Sequence, residues 1–361
     1  MKLKINSKEL QRVLATAFRA VPSKTTLPIL ECFLLKCEDG ILKVTATDQA
    51  LAISSAAEAE GEGSAAIHAK TLLDIVRTLP DSEISIDTNE TLATIRWGNG
   101  HSSVPVFEVK DFPEVKQPEG EHILIDCALL RSAISHTIGS CATDELRPAL
   151  TGICFANNDG KLDLVASDSH ILSCFPTNVE SCVDAFILPA TAASVVRDSL
   201  SEGVCKVRLS GDTVFVEIGD LMISSRHIIG KFPDYRKIIP AGNPNILSGS
   251  RSSLMSTLKR VFVCANKSSK ALKWTTDLAE VNVEAQDLGF QTAARETPEN
   301  LTYEGNPLTI GINGDYIIRA LGSFDCEEIA LAFSDPNRAV LLYDPNGDDL
   351  CRIIVMPMAI K

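Results

Sequence analysis

A chain of 361 residues is long enough for two or three domains of roughly 100–150 residues each, and a composition of 45% hydrophobic, 22% charged and 5% aromatic residues excludes a disordered or fibrous polymer. The formal net charge of −13 argues against a protein that coats nucleic acid with a basic surface, unless its positive residues are gathered on one face. No run approaches the ~20 apolar residues that span a bilayer, and the opening MKLKINSKEL lacks the apolar stretch of a secretory signal, so a cytoplasmic chain without membrane contact is expected.

The predicted elements begin with a short strand, Leu3 to Ile5, a capping Asn6, and a helix whose apolar residues Leu10, Val13, Leu14, Ala17 and Phe18 recur at helical spacing. Two strands follow, Leu30 to Cys37 and Ile41 to Ala46, joined by the turn Glu38-Asp39-Gly40. A second helix, Lys70 to Leu79, precedes a strand at Ile84 to Asp87. From Ile123 the order starts again. Strand Ile123 to Ile125, cap Asp126 and the helix it starts lead to strands Gly152 to Ala156 and Leu162 to Ala166 around Asn157 to Lys161, then helix Thr191 to Leu200 and strands Val204 to Leu209 and Val214 to Ile218. The rest repeats the order more faintly: helix Leu254 to Val263, strand Glu280 to Ala285 ending at Asp287, helix Asp315 to Leu321, and strands Ile329 to Phe333 and Ala339 to Tyr343.

The recurrence has a fixed offset of 120 residues without a gap. Pro28 to Asp48 lies over Pro148 to Asp168 with seven of 21 positions identical, and the same offset pairs Val76-Arg77 with Val196-Arg197 and Phe112-Pro113 with Phe232-Pro233. The expected fold is α+β: three repeated domains of two helices and antiparallel sheets, spanning 1–120, 121–243 and 244–361. The junctions fall in the polar, Pro-bearing stretches Lys116 to Glu121 and Pro240 to Asn245.

Chemistry is sparse. No phosphate loop, dinucleotide fingerprint, HExxH or GxSxG occurs, the six histidines lack metal-ligand spacing, and no CxxC pair exists among eleven cysteines, which read as reduced core residues. No cofactor or metal is expected. The nearest approach to a catalytic cluster is Ser167, Asp168, Ser169 and His170. Asp48 holds the equivalent place in the first repeat without Ser or His beside it, so both aspartates are read as turn-formers whose carboxylates accept nearby backbone N–H groups.

The strings TLPILECFLLKCEDGILKVTATD, LRPALTGICF with ASDSHIL, GKFPDYRKIIP and the C-terminal VMPM, in this order, resemble the bacterial DNA sliding-clamp family, the beta subunits of DNA polymerase III, over the whole chain. The resemblance implies three similar domains per chain, and a head-to-tail homodimer closed into a ring with helices lining the hole. A non-enzymatic processivity factor follows. It would encircle duplex DNA without regard to sequence and bind the polymerase III alpha subunit, the clamp loader, and other polymerases and repair proteins through short linear peptides. Topological tethering would tolerate an acidic exterior, because a mildly positive hole suffices. The alternatives are a clamp-like assembly scaffold that does not encircle DNA, and an enzyme built on the repeated scaffold.

Carried over position by position, the resemblance implies a peptide pocket of Leu150, Ser167, Ser169, His170, Ile171, Leu172, Pro233, Lys237, Ile238, Asn313, Tyr316, Ile354, Met356, Pro357 and Met358. Three positions depart from the family pattern: Ile171 and Ala359 stand where Arg is usual, and Ser269 near a position often aromatic. A less basic pocket with its own peptide preference follows. Basic residues expected to face DNA are Arg12, Lys24, Lys70, Arg77, Arg131, Arg197, Lys259 and Arg260. The ring interface is expected to involve Lys70, Arg96, Ser102 and Val104 of the first domain against Val263, Cys264, Glu299 and Glu304 of the third.

Overall fold

The computed structural model describes residues 1–277 and 280–360. Contacts divide them into two compact units, Met1–Ala128 with Val195–His227, and Leu129–Ser194 with the chain from Ile228 onward.

In the first unit, helix α1 (Ser7–Ala17) starts where Asn6 Oδ1 accepts the Lys8 and Glu9 N–H groups. A cap of this kind stabilises a helix by about 1 kcal/mol. Leu10, Val13, Leu14 and Ala17, spaced at i, i+3, i+4 and i+7, are fully buried. Helix α2 (Ala69–Arg77) packs against α1 and is capped by His68 Nδ1, which accepts the Thr71 N–H. Beneath them runs a 12-stranded sheet in which strand Leu51–Glu58 of the first repeat pairs antiparallel with Leu221–Arg226 of the second.

The chain then contributes helices α3 (Cys127–Ile138) and α4 (Ala190–Ser199). The second unit holds α5 (Arg251–Phe262) and α6 (Gly314–Gly322), packed on each other, with a 9-stranded and a 5-stranded sheet. In the larger sheet, strand Ile171–Glu180 pairs with Arg352–Val355, the counterpart of the pairing between the repeats in the first unit.

The repeat extends to backbone dihedrals. Both predicted Asp-Gly turns are left-handed at both residues, Asp39 and Gly40 at φ 52° and 77°, Asp159 and Gly160 at 52° and 85°. Strands Leu51–Glu58 and Glu60–His68 escape the sequence reading. The first buries Ser54 and Ser55, and the second begins with exposed Glu-Gly-Glu-Gly, so neither shows plain alternation. Gly61 is required where it stands: a Cβ there would lie 2.0 Å from the Lys2 carbonyl oxygen of the paired strand.

Cys32, Cys37, Cys127, Cys141, Cys154, Cys174, Cys205 and Cys351 are buried. Burial pushes the Cys141, Cys154 and Cys174 thiols up to about 12, which keeps them protonated and inert. Cys182 departs from the core expectation, being exposed, and Cys264 and Cys326 are only half-buried. No helix among the described residues is long and apolar enough to cross a membrane.

Candidate peptide-binding site

Strand Lys161–Ser167 ends in a turn that accounts for the Ser-Asp-Ser-His cluster. Ser167 Oγ donates to the Ile171 carbonyl at 2.8 Å and accepts the Ser169 N–H at 3.1 Å, while Asp168 Oδ1 accepts the N–H groups of His170 and Ile171, both at 2.9 Å. Ser169 takes the left-handed backbone the turn demands, φ 82°. The hydroxyl and the carboxylate are thus engaged by the main chain, as the turn reading requires, and Asp48 makes the same bonds to Ala50 and Leu51. The His170 ring is left free to stack on Tyr316, centroids 5.5 Å apart and planes 19° from parallel, with the Arg319 guanidinium 5.1 Å from the Tyr316 ring centre. Arg147 Nη1 donates to Ser169 Oγ at 2.6 Å, and Arg319 stands 3.6 Å from the Asp168 carboxylate. The turn is therefore a polar rim.

The floor beside it is apolar. Leu172 lies opposite Ile354 across the strand pair, and Leu150 enters from the short helix Pro148–Leu150. The far wall is the loop that follows Lys231, and its anchor is Tyr235. This ring is buried in the cluster containing Val165, Leu172 and Ile354, and its hydroxyl donates to Asp163 Oδ2 at 2.7 Å. Burial holds the Asp163 carboxyl above its ordinary range despite the Tyr235 and Asn158 donors. With Tyr235 fixed, Pro233 and Ile238 face the floor. The result is a cavity of about 380 Å³ lined by Arg147, Ala149, Leu150, Ser167, Ser169, His170, Ile171, Leu172, Lys231, Pro233, Ile238, Ile354 and Met356. Apolar walls with convergent polar groups on one side suit a short amphipathic segment.

Five expected residues do not line this cavity. Asn313 caps α6, its Oδ1 accepting the Asp315 N–H, and Tyr316 meets the site at its rim, stacked on His170. Lys237 points to solvent beside Asp234 at 3.1 Å. Pro357 and Met358 pair with Ile312 and Gly311 in the 5-stranded sheet, which draws them away from Met356. Arg147, Ala149 and Lys231 are lining residues that sequence reasoning missed, although Arg147 and Ala149 stand inside LRPAL and Lys231 inside GKFPDY. Among the described residues no group of three or more His, Cys, Asp or Glu is placed to hold a metal.

Residues 1–116 match the family model described as DNA polymerase III beta subunit, N-terminal domain; residues 124–234 match the central domain and 236–359 the C-terminal domain. The chain belongs to the DNA polymerase III beta-subunit family. It is 28% identical to the beta sliding clamp of Synechococcus elongatus over 380 residues covering 100% of both chains, and 26% identical to that of Vibrio cholerae over 99% of this chain and 100% of that one. The solved DNA polymerase III subunit beta of Pseudomonas aeruginosa matches with a TM-score of 0.94 at 26% identity, covering 100% of both chains. The beta subunit of Streptococcus pyogenes, with a TM-score of 0.95 over 100% of both chains at 19% identity, is a likeness of fold alone.

Of the basic residues expected to face DNA in this clamp subunit, Arg12 stands on α1, Lys70 and Arg77 on α2, Arg131 on α3, Arg197 on α4, and Lys259 and Arg260 on α5, with Lys24 in an exposed loop. Four of them meet acids of their own surface, Arg12 with Glu9 at 3.0 Å, Arg77 with Asp74 at 3.5 Å, Arg197 with Asp198 at 2.9 Å, and Arg260 with Glu296. Lys24, Lys70, Arg131 and Lys259 have no ion pair among the described residues, so the helices present a diluted positive charge.

Of the expected interface residues, Val263 is 83% exposed, Cys264 is half-buried, and Glu299 and Glu304 are exposed. Leu288 and Phe290, 80% and 69% exposed and not expected from the sequence, lie on the turn between strands Val281–Asp287 and Thr292–Glu296, and the Thr292 hydroxyl just after it donates to the Cys264 carbonyl at 3.4 Å. Lys70 and Arg96 are exposed, Arg96 held by Asp87 at 2.5 Å, and Ser102 is half-buried. Val104 is a correction. Strand alternation turns it inward opposite Ala93, where it is 2% exposed, while Ser103 and Pro105 face out.

Proposed function

We infer that this DNA sliding clamp works as a head-to-tail homodimeric ring around duplex DNA and that the apolar cavity beside His170 docks short linear peptides of its partners. The partners are those of a processivity factor: the polymerase III alpha subunit, the clamp loader, and other polymerases and repair enzymes. The protein acts in the cytoplasm and contributes topology and docking, with no catalytic step of its own. The division into domains 1–120, 121–243 and 244–361 belongs to the same reading and is supported by family-model boundaries near 116–124 and 234–236.

The observation that carries the peptide reading is the cavity itself. It joins a fixed apolar floor, Leu172 and Ile354, to a thioether at its mouth, Met356, which is 39% exposed and conformationally adaptable. The exposed apolar side chains of Val263, Leu288 and Phe290 support an interface on the third domain, since a monomer gains nothing by leaving them in water. Exposed basic residues on four helices, with the half-buried Arg197 on a fifth, support contact with a phosphate backbone, and their partial neutralisation favours sliding over tight, salt-sensitive binding. Deleting residues 356–361 tests the pocket: affinity for apolar partner peptides should fall at least about tenfold, roughly 1.4 kcal/mol, while the dimer persists in sedimentation. Undiminished peptide affinity would contradict the assignment.

A further inference from the structure

The first unit carries a second cavity, of about 370 Å³, at the place the repeat makes equivalent to the apolar one. The two are built alike bond for bond. Thr47 Oγ1 donates to the Leu51 carbonyl and accepts the Gln49 N–H, both at 2.9 Å, as Ser167 does with Ile171 and Ser169. Gln49 shares the left-handed backbone of Ser169, at φ 76°. The Arg226 N–H donates to the Ala50 carbonyl at 2.9 Å where the Met356 N–H donates to that of His170 at 2.8 Å, and Ser224 lies opposite Ala52 where Ile354 lies opposite Leu172. Pro113 stands where the wall of the apolar cavity has Pro233.

The chemistry of the walls differs. Ser224 replaces Ile354, Ala52 replaces Leu172, and Arg226 replaces Met356 at the mouth. Lys116 is committed to Asp212 at 2.6 Å, whereas the exposed Arg226 has no ion pair among the described residues. An apolar side chain seated here would leave the Ser224 hydroxyl and the guanidinium without partners, but a carboxylate can take the guanidinium through two parallel hydrogen bonds. Glu114, the acid of the lining, would repel a second negative charge.

We propose that this cavity is a second docking site, for a short peptide segment presenting a single aspartate or glutamate to Arg226. The proposal rests on the reading of the apolar cavity as a peptide site, because the shared turn and strand pair form the same shelf in both. The test pans a displayed heptapeptide library on the whole protein carrying Met356→Asp, which disables the apolar cavity. Peptides with one acid should still be enriched. A synthetic copy of an enriched peptide should bind wild type and Met356→Asp within about twofold of each other, and bind Arg226→Glu and Arg226→Gln at least about tenfold more weakly. The double variant Ser224→Ile, Arg226→Met should exchange the preference for an apolar one. No enrichment on Met356→Asp, or enriched peptides indifferent to both Arg226 variants, would overturn the proposal. Failure of the underlying reading has a separate signature, apolar peptides that bind wild type and Met356→Asp alike, and an acid-bearing peptide lost with Arg226 would support the second site even then.

Discussion

Tyr235 holds one wall of the apolar cavity in place through a single hydroxyl on a buried carboxylate. Tyr235→Phe keeps the ring but leaves Asp163 one donor short, so unfolding should become easier by about 1–3 kcal/mol, and peptide affinity should fall as Pro233 and Ile238 loosen. Chemical denaturation and a peptide titration of the same variant read both effects; unchanged values would remove Tyr235 from the account. The motif containing this tyrosine is legible in the sequence as a string, but its physics is not, since nothing local says that Tyr235 meets Asp163 across 72 positions. Asp48 and Asp168 are the opposite case: their bonds are made within three residues, and the repeat alone identifies them as turn-formers. The expected residues brought by the strand pair and the turn fall around the cavity, whereas Lys237, Pro357 and Met358 are drawn elsewhere by an ion pair and a sheet edge that no spacing reveals.

Between elements, α3 is joined to the segment Asp344–Cys351 by a buried ion pair. His136 Nε2 meets Asp349 Oδ2 at 2.8 Å, and Nδ1 donates to the Ser132 carbonyl at 2.7 Å, with Phe175 and Phe324 against the ring. Burial alone would drive the proton off His136, but the bonds to Asp349 and Ser132, with Asp325 nearby, outweigh it and raise the imidazole above its ordinary 6.5. Asp349, also opposed by burial, is held below its ordinary 3.8 by His136 and the Cys351 N–H. The His136 contribution to stability is full below pH 6.5 and is lost as pH rises through the raised folded value; that of Asp349 is full above 3.8 and is lost as pH falls through the lowered one. The pair therefore stabilises most between these two ordinary values. Melts between about pH 5.5 and 8.5 should show wild type losing more stability than His136→Gln, and parallel slopes would contradict this. This pairing is invisible to sequence reasoning, which recognises helices by caps such as Asn6 and strands by alternation. It overlooks Leu51–Glu58 for the same reason: buried serines conceal the period.

At the scale of the whole molecule, a repeat of 120 residues yields two cavities on one plan with different walls, in a chain of net charge −13 that carries basic residues on each of its helices α1 to α5. Ring closure reconciles that charge with DNA binding, since a topological link needs few phosphate contacts. The most direct measurement loads the protein onto nicked circular DNA with a matched clamp loader, isolates the complex by gel filtration, and then linearises the DNA. An encircling dimer is retained on the circle and released on linearisation, and an Arg96→Glu, Val263→Glu variant, which should be monomeric, is not retained at all. A dimeric protein that is never retained on the circle, or that stays bound after linearisation, would contradict encirclement.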